Sequence, residues 1–323
     1  MRQELARPPT AVASRSASSP DAVPEDPLRV ALVTFQLGEY SIRLANALAA
    51  GCDVTLFIAD TTAGWEPIDA DERVRLRVFR HPRLRQPVPQ LRRCRALLAD
   101  IERASPDVVH LQQGHAWFNL FLPALARQRP LVITVHDPRH HLGDRASHKT
   151  PQAVVDFGFR RATAVIVHGA AVGRSLVDVA GVPPQRVHVV PHHRLGGGST
   201  EPPSEGPPAV LFFGRIWPYK GLDDLIRAQP LVTARVPDAR FVIAGEGESL
   251  DRYRAMMADP SRFDVHNRFV SNEERDRLFR EASLIVLPYV EATQSGVIPV
   301  AYAHARHAPV SYTHLTLPTN SRV

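Results

Sequence analysis

With 323 residues, of which 44% are hydrophobic and 22% charged, the sequence excludes a disordered chain or a membrane-spanning bundle and calls for two domains of roughly 100 to 200 residues each. The net charge of +6 admits nucleic acid, an anionic membrane surface or a phosphorylated substrate as partner. The basic residues are scattered through both halves, however, so a solvated arginine-rich surface accounts for them equally well; the only lysines are Lys149 and Lys220. Cys52 and Cys94 stand in no metal-binding or redox spacing, which excludes a disulfide framework and points to a reducing cytoplasm.

Residues 1–27 are rich in Pro, Ser, Ala and Arg and lack the apolar stretch of a signal peptide or membrane span, so they are expected to be a disordered leader. From Arg29 short apolar runs alternate with helical stretches, the pattern of a parallel sheet covered on both faces. Strands are expected at Arg29–Phe35, Asp53–Ile58, Val74–Phe79, Val108–Leu111, Leu131–Val135, Ala164–Val167 and Val187–Val190. Between them, Gln36–Tyr40 reads as a loop, and helices fall at Ser41–Ala50, Pro89–Arg103, Trp117–Arg127, Gln152–Arg161 and Ala170–Ala180. Residues 28–191 thus form a first domain. The Gly- and Pro-rich stretch 192–208 is an interdomain linker.

A second set follows over 209–310, with strands at Ala209–Phe213, Arg240–Ala244, Val265–Val270 and Leu284–Leu287. Its helices are expected at Leu222–Ala234, Ser249–Met257 and Ser271–Glu281, the last opening with Ser271 and Glu274 at capping-box spacing. Two doubly wound α/β sheets joined by a linker place a ligand at the carboxyl ends of their strands, where the halves face each other.

Three strand ends of the second half carry candidate chemistry. In FGRIWPYKG (Phe213–Gly221), Arg215 and Lys220 could neutralise a diphosphate leaving group, although a surface ion pair explains two such charges as well. In AGEGE (Ala244–Glu248), the glycines around Glu246 would let backbone amides approach a ligand, or simply make a tight turn before a helix. In LPYVEATQSGVIPVAYA (Leu287–Ala303), Glu291 could accept hydrogen bonds from sugar hydroxyls, and Ser295 and Gly296 open a new helix suited to an anion.

In order and spacing these three segments resemble the donor-binding motifs of the family 4 glycosyltransferases, and VVPHH (Val189–His193) resembles the segment that closes their first domain. The resemblance spans about Arg29 to Val310. It implies a GT-B fold, two Rossmann-like domains across a cleft, with a nucleotide-diphosphate sugar held by the second domain and a hydroxyl acceptor, a sugar or a lipid-linked group, by the first. It implies retention of anomeric configuration, no cofactor and no obligatory metal. Carried over, Arg215 and Lys220 meet the diphosphate, Glu291 the transferred sugar, and Ser295, Gly296 and Val297 the phosphates through their amides. Glu246 belongs to the same donor side, Gly38 corresponds to the first-loop glycine, and His136 in TVHD (Thr134–Asp137) corresponds to the histidine near the transferred sugar. Pro299 stands where the family commonly has a second Glu that binds the ribose, which leaves the nucleotide open.

The histidines His136, His140, His141 and His148 cluster in sequence but fit no HExxH pattern, and no metal site is expected from them. His115, just after a strand, either lines the cleft or serves packing. Ser311–Thr319 matches, residue for residue, one translation frame of the transposon-end adapter used in sequencing libraries, so 311–323 is expected not to belong to the protein and the second domain to be incomplete.

The resemblance thus points to glycosyl transfer in polysaccharide or glycolipid synthesis, in the cytoplasm or at the inner face of the membrane. A nucleotide-sugar epimerase of the same fold is the nearest alternative. A nucleic-acid or anionic-membrane binding module would need a continuous basic face or a stacking platform, and neither is visible. FQLGEYS (Phe35–Ser41) lacks the GxGxxG of a nicotinamide-dependent oxidoreductase.

Overall fold

The computed structural model describes residues 26–64, 69–82, 87–140, 150–199, 206–292 and 294–310. The expected tail, the expected leader up to residue 25, residues 200–205 of the expected linker, His141 and His148 lie outside these residues.

The first half contains β1 (Leu28–Thr34), α1 (Gly38–Leu48), β2 (Cys52–Ala59), α2 (Asp60–Ala63), β3 (Arg75–Phe79), α3 (Pro87–Arg103), β4 (Val108–Gln112), α4 (Leu122–Gln128), β5 (Leu131–Val135), α5 (Gln152–Arg161), β6 (Ala164–Val167), α6 (Ala170–Asp178) and β7 (Val187–Val189). The strands pair in parallel in the order β3-β2-β1-β4-β5-β6-β7. The second half contains β8 (Ala209–Phe213), α7 (Leu222–Thr233), β9 (Arg240–Ala244), α8 (Asp251–Arg254), β10 (Phe263–His266), α9 (Asn272–Glu281), β11 (Leu284–Ile285) and α10 (Val297–Ala303). Its parallel order is β10-β9-β8-β11.

Both sheets are apolar on both faces, which is why their strands read as continuous hydrophobic runs. Ala31 and Val33 of β1 join the core on one face, while Leu32 joins that on the other. On β8, Leu211 and Phe212 divide in the same way. Successive side chains point to opposite faces of a strand, so each buried strand feeds two cores.

Several boundaries differ from the sequence expectation. Gly38 is the first residue of α1 instead of a loop residue, because Leu37 adopts a left-handed conformation (φ 64°, ψ 52°) that turns the chain straight into the helix. The helix expected from Trp117 divides into a 3-10 turn at Phe118–Phe121 and α4, where Pro123 occupies an early helix position and its missing N–H costs nothing. The strand expected at Val265–Val270 is shifted back to Phe263–His266, in register with β9. α8 is confined to one turn.

The two halves touch through an ion-pair cluster. Arg275 on α9 donates to Glu39 on α1 at 2.5 Å, and the same carboxylate accepts from Arg43 at 3.0 Å and from the Gly196 N–H at 2.8 Å. Burial disfavours the Glu39 charge, yet the hydrogen bond and charge of Arg275 hold its pKa below the ordinary value. Asp276 on α9 accepts from the Gly197 N–H at 2.7 Å, so the two glycines are clasped between α1 and α9.

Candidate active site

In each sheet the strand order reverses between two neighbours whose connections run to opposite faces: β1 and β4 in the first, β8 and β11 in the second. Loops leaving such a pair diverge and open a crevice. The two crevices face each other, and a cavity of about 300 Å³ between them is lined by His136 and Asp137 from the first half and Arg215, Lys220, Gln294 and Ser295 from the second. It adjoins a larger cavity of about 420 Å³ on the first half; Leu37, His136, Asp137 and Arg215 line both.

His136 follows β5 and is buried. Its backbone N–H donates to Gln113 Oε1 at 2.9 Å, while Gln113 Nε2 donates to the Asp137 carbonyl at 3.1 Å, which fixes this corner. The imidazole Nε2 lies 3.3 Å from Gln112 Oε1. Burial, reinforced by the neighbouring His168, lowers its pKa to about 3, so the ring is neutral at physiological pH. The Tyr40 ring meets it edge-on at 4.6 Å.

The opposite wall is built on the β8 and β11 loops. Arg215 Nη2 donates to the Tyr219 hydroxyl at 3.0 Å. The Lys220 ammonium rests 3.8 Å from the centre of the Tyr289 ring and 5.1 Å from that of Tyr219. Burial, and then the nearby Arg215 charge, lowers the Lys220 pKa to about 7. The Tyr289 hydroxyl bonds to Ser295 Oγ at 3.0 Å, and Ser295 Oγ also accepts from the Val297 N–H at 3.3 Å, so a phosphate oxygen reaching that amide would share it with the serine.

Of the residues expected to form the site, the structure places Arg215, Lys220, His136, Ser295, Gly296 and Val297 around the one cavity. Gly38, Glu246 and Glu291 are not among its lining residues. Glu246 is exposed on a loop braced against the Arg215 loop, its carbonyl accepting from the Ile216 N–H at 3.0 Å. Close approach explains the glycines there: a Cβ on Gly245 would stand 2.0 Å from the Gly214 carbonyl oxygen. Glu291 shares the loop that carries Gln294 and Ser295, and its N–H donates to the Tyr219 carbonyl at 3.3 Å. His115 both lines the larger cavity and stacks on Phe35, with ring centres 4.7 Å apart, so the cleft and packing readings hold together.

Sequence reasoning did not anticipate Gln112, Tyr40, His168 or Arg275. His168 and His192 stand beside His136, with ring centres 5.3 and 6.4 Å away. No local spacing signals this, because His136, His168 and His192 come from the ends of three successive parallel strands separated by whole helices.

Two parallel α/β sheets joined by a linker, with their switch points opposed over a common cavity, constitute the GT-B arrangement. Solved structures agree on the fold. Sucrose-phosphate synthase from Thermosynechococcus elongatus superposes with a TM-score of 0.61 at 16% identity, covering 84% of this chain and 77% of that one. Anabaena HepE, solved with UDP-glucose, gives 0.60 at 16% identity over 86% and 79%. The glycosyltransferase WaaG, involved in lipopolysaccharide biosynthesis, gives 0.61 at 13% over 86% and 80%.

In sequence, residues 37–193 match the model of Glycosyltransferase Family 4 and residues 207–313 that of Glycosyl transferases group 1. The chain belongs to the family 4 glycosyltransferases. Among curated relatives, glycogen synthase of Mycobacterium tuberculosis is 27% identical over 201 residues, 57% of this chain and 46% of the relative. A GDP-mannose-dependent alpha-(1-6)-phosphatidylinositol monomannoside mannosyltransferase of Mycolicibacterium smegmatis is 31% identical over 120 residues, 32% of this chain and 31% of the relative. The chain therefore spans about half the length, or less, of the curated relatives it matches. None of its described helices is long and apolar enough to cross a membrane.

Proposed function

We propose that the protein transfers a sugar from a nucleotide-diphosphate donor to a hydroxyl acceptor with retention of configuration, in the synthesis of a polysaccharide or glycolipid. The observation that carries this reading is the opposition of Arg215 and Lys220 to His136 across one cavity. The bond between the anomeric carbon and the diphosphate oxygen breaks, its electron pair leaving with the diphosphate. The acceptor oxygen bonds to the same carbon and passes its proton to the departing diphosphate oxygen. Arg215 and Lys220 compensate the charge on the leaving group, which a divalent ion would otherwise supply. Ser295, Gly296 and Val297 border the phosphates, and His136, neutral at physiological pH, stands near the sugar. Glu291, which does not itself line the cavity, is assigned to the sugar hydroxyls because its loop carries Gln294 and Ser295, which do, and the adjoining 420 Å³ cavity receives the acceptor.

The comparisons support the donor class: HepE is solved with UDP-glucose, and the mannosyltransferase relative is GDP-mannose-dependent. Pro299 leaves the choice between these bases to experiment. The test is calorimetric titration with UDP and with GDP in the presence of chelator. Saturable binding of one of them without metal is expected. Binding that strictly requires magnesium or manganese, or no binding of either, would overturn the reading.

A further inference from the structure

We propose that His136, His168 and His192 form a binding site for a single zinc ion, or an equivalent borderline transition-metal ion, at the edge of the interdomain cavity. His136 follows β5, His168 follows β6 and His192 lies just beyond β7, so three neighbouring parallel strands each deliver one imidazole at their carboxyl ends. The spacing of adjacent strands, about 4.8 Å, brings the rings together. One ring nitrogen from each of the three lies within 4.8 Å of those of the other two. A tetrahedral zinc ion with Zn–N bonds of about 2.0–2.1 Å holds its nitrogens roughly 3.3 Å apart. Binding therefore requires His168 and His192, which are half-buried, to turn inward toward His136.

The hydrogen bonds around the rings have the form found behind metal-ligating histidines, where the non-ligating nitrogen donates its proton to an oxygen. His168 Nδ1 donates to the Val190 carbonyl at 2.8 Å, and His192 Nδ1 donates to the His193 carbonyl at 2.7 Å. His136 Nε2 donates to Gln112 Oε1 at 3.3 Å. Each ring is thereby fixed in one tautomer, which leaves lone pairs on His168 Nε2, His192 Nε2 and His136 Nδ1. The lone pair of His168 Nε2 accepts from the Tyr40 hydroxyl at 3.0 Å, and a bound ion would displace that hydrogen bond, the phenol keeping its proton because burial raises its pKa.

Three neutral nitrogen donors suit zinc, cobalt, nickel or copper and offer little to magnesium or calcium, which prefer oxygen. The site therefore differs in kind from a magnesium ion compensating a diphosphate. Because His136 and His192 also line the 300 Å³ cavity, the ion would sit in its wall.

The test titrates chelator-treated, exhaustively dialysed protein with zinc chloride by calorimetry, and with cobalt chloride by visible ligand-field absorption, without donor or acceptor. Its outcome is thus independent of whether the chain transfers sugar. One ion per chain with a micromolar or tighter Kd is expected, with cobalt giving the intense bands of a tetrahedral site. His168→Gln and His192→Gln should each weaken zinc binding by about 30-fold or more, judged against a cost of about 10- to 100-fold for losing a mere outer-shell partner. Absence of stoichiometric binding, or undiminished affinity in both variants, would overturn the proposal. Should either variant fail to fold, long-range nitrogen–proton spectra of the histidine rings in the unaltered protein decide. Zinc must shift the resonances of three rings having the tautomers assigned above, and a shift confined to other histidines such as His81 and His115 refutes the site.

Discussion

Lys220 provides the sharpest test of how the cavity binds its ligand. Burial and the Arg215 charge bring its pKa from the ordinary 10.5 to about 7, so near neutrality about half of the molecules carry an uncharged amine facing the cavity. A diphosphate there favours the ammonium form, and the apparent affinity scales with the fraction of free protein already protonated. That fraction falls from about one half at pH 7 to about one hundredth at pH 9, so affinity should fall about 50-fold, or roughly 2 kcal/mol. The terminal phosphate, whose second pKa is about 6, is already about nine-tenths ionised at pH 7, so its own titration adds little to the change and acts in the opposite direction. The assay is calorimetric titration of UDP or GDP at pH 7, 8 and 9 for the unaltered protein, Lys220→Met and Lys220→Arg. The Met variant should bind weakly and the Arg variant well, both without this slope, because neither side chain titrates here. Stability supplies a second reading. Between about pH 7 and 10.5 the unfolded chain holds a proton on this residue that the folded one lacks, so its contribution to stability rises with pH; the buried Cys94 thiol, pushed up to about 12, opposes it above pH 9, and Lys220→Met should abolish the rise between pH 7 and 9. A slope retained in Lys220→Met would show that another group titrates. An affinity for the unaltered protein constant within twofold from pH 7 to 9 would refute the depressed pKa itself.

Glu291→Ala should lower turnover about 30- to 1000-fold, equivalent to losing about 2–4 kcal/mol of charge-assisted hydrogen bonding to the transferring sugar, while leaving affinity for the free nucleotide nearly unchanged. Steady-state rates set beside titration decide this, and near-normal turnover with lost nucleotide affinity would reverse the roles given to Glu291 and Lys220. Gly221→Ala should cost about 2 kcal/mol or more and weaken nucleotide binding, because Gly221 has φ +68° and an added Cβ would stand 1.8 Å from the carbonyl oxygen of Pro288, at the base of the Tyr289–Ser295 loop. Gly51→Ala, where nothing lies within 4 Å, is the control, and equal melting temperatures for the two variants would contradict the close approach. Arg275→Met should remove about 2 kcal/mol, since its side chain is 9% exposed and its loss leaves the Glu39 carboxylate, which is 16% exposed, with Arg43 and the Gly196 N–H but without its shortest partner. A fall of about 6 °C in Tm and a larger radius of gyration by X-ray scattering are expected, and a change of under one degree would mean that this pair does not hold the halves together.

The sequence by itself determined the layered α/β architecture, because burial on both faces forces each strand into an unbroken apolar run and each connection into a helix. The bounds Gln152–Arg161 of α5 and Leu131–Val135 of β5 could be read directly. Ser271 could be read as a cap, and its Oγ accepts from the Glu274 N–H at 3.2 Å. The reciprocal half of that motif is absent because the Glu274 carboxylate pairs with Arg268 at 2.6 Å instead. The donor-side residues Arg215, Lys220 and Ser295 were visible because each lies on a loop directly after a strand, and strand ends in a parallel sheet converge on one edge. Short-range spacing could not reveal the left-handed Leu37, which starts α1 three residues early, nor the short β10, whose place is set by its pairing with β9. Nor could it reveal the gathering of His136, His168 and His192 or the clasp of Arg275 on Glu39, partners separated in sequence by 236 residues. Those depend on which strands lie side by side and how the two sheets face each other, and that arrangement is fixed only when distant segments bury their apolar faces together.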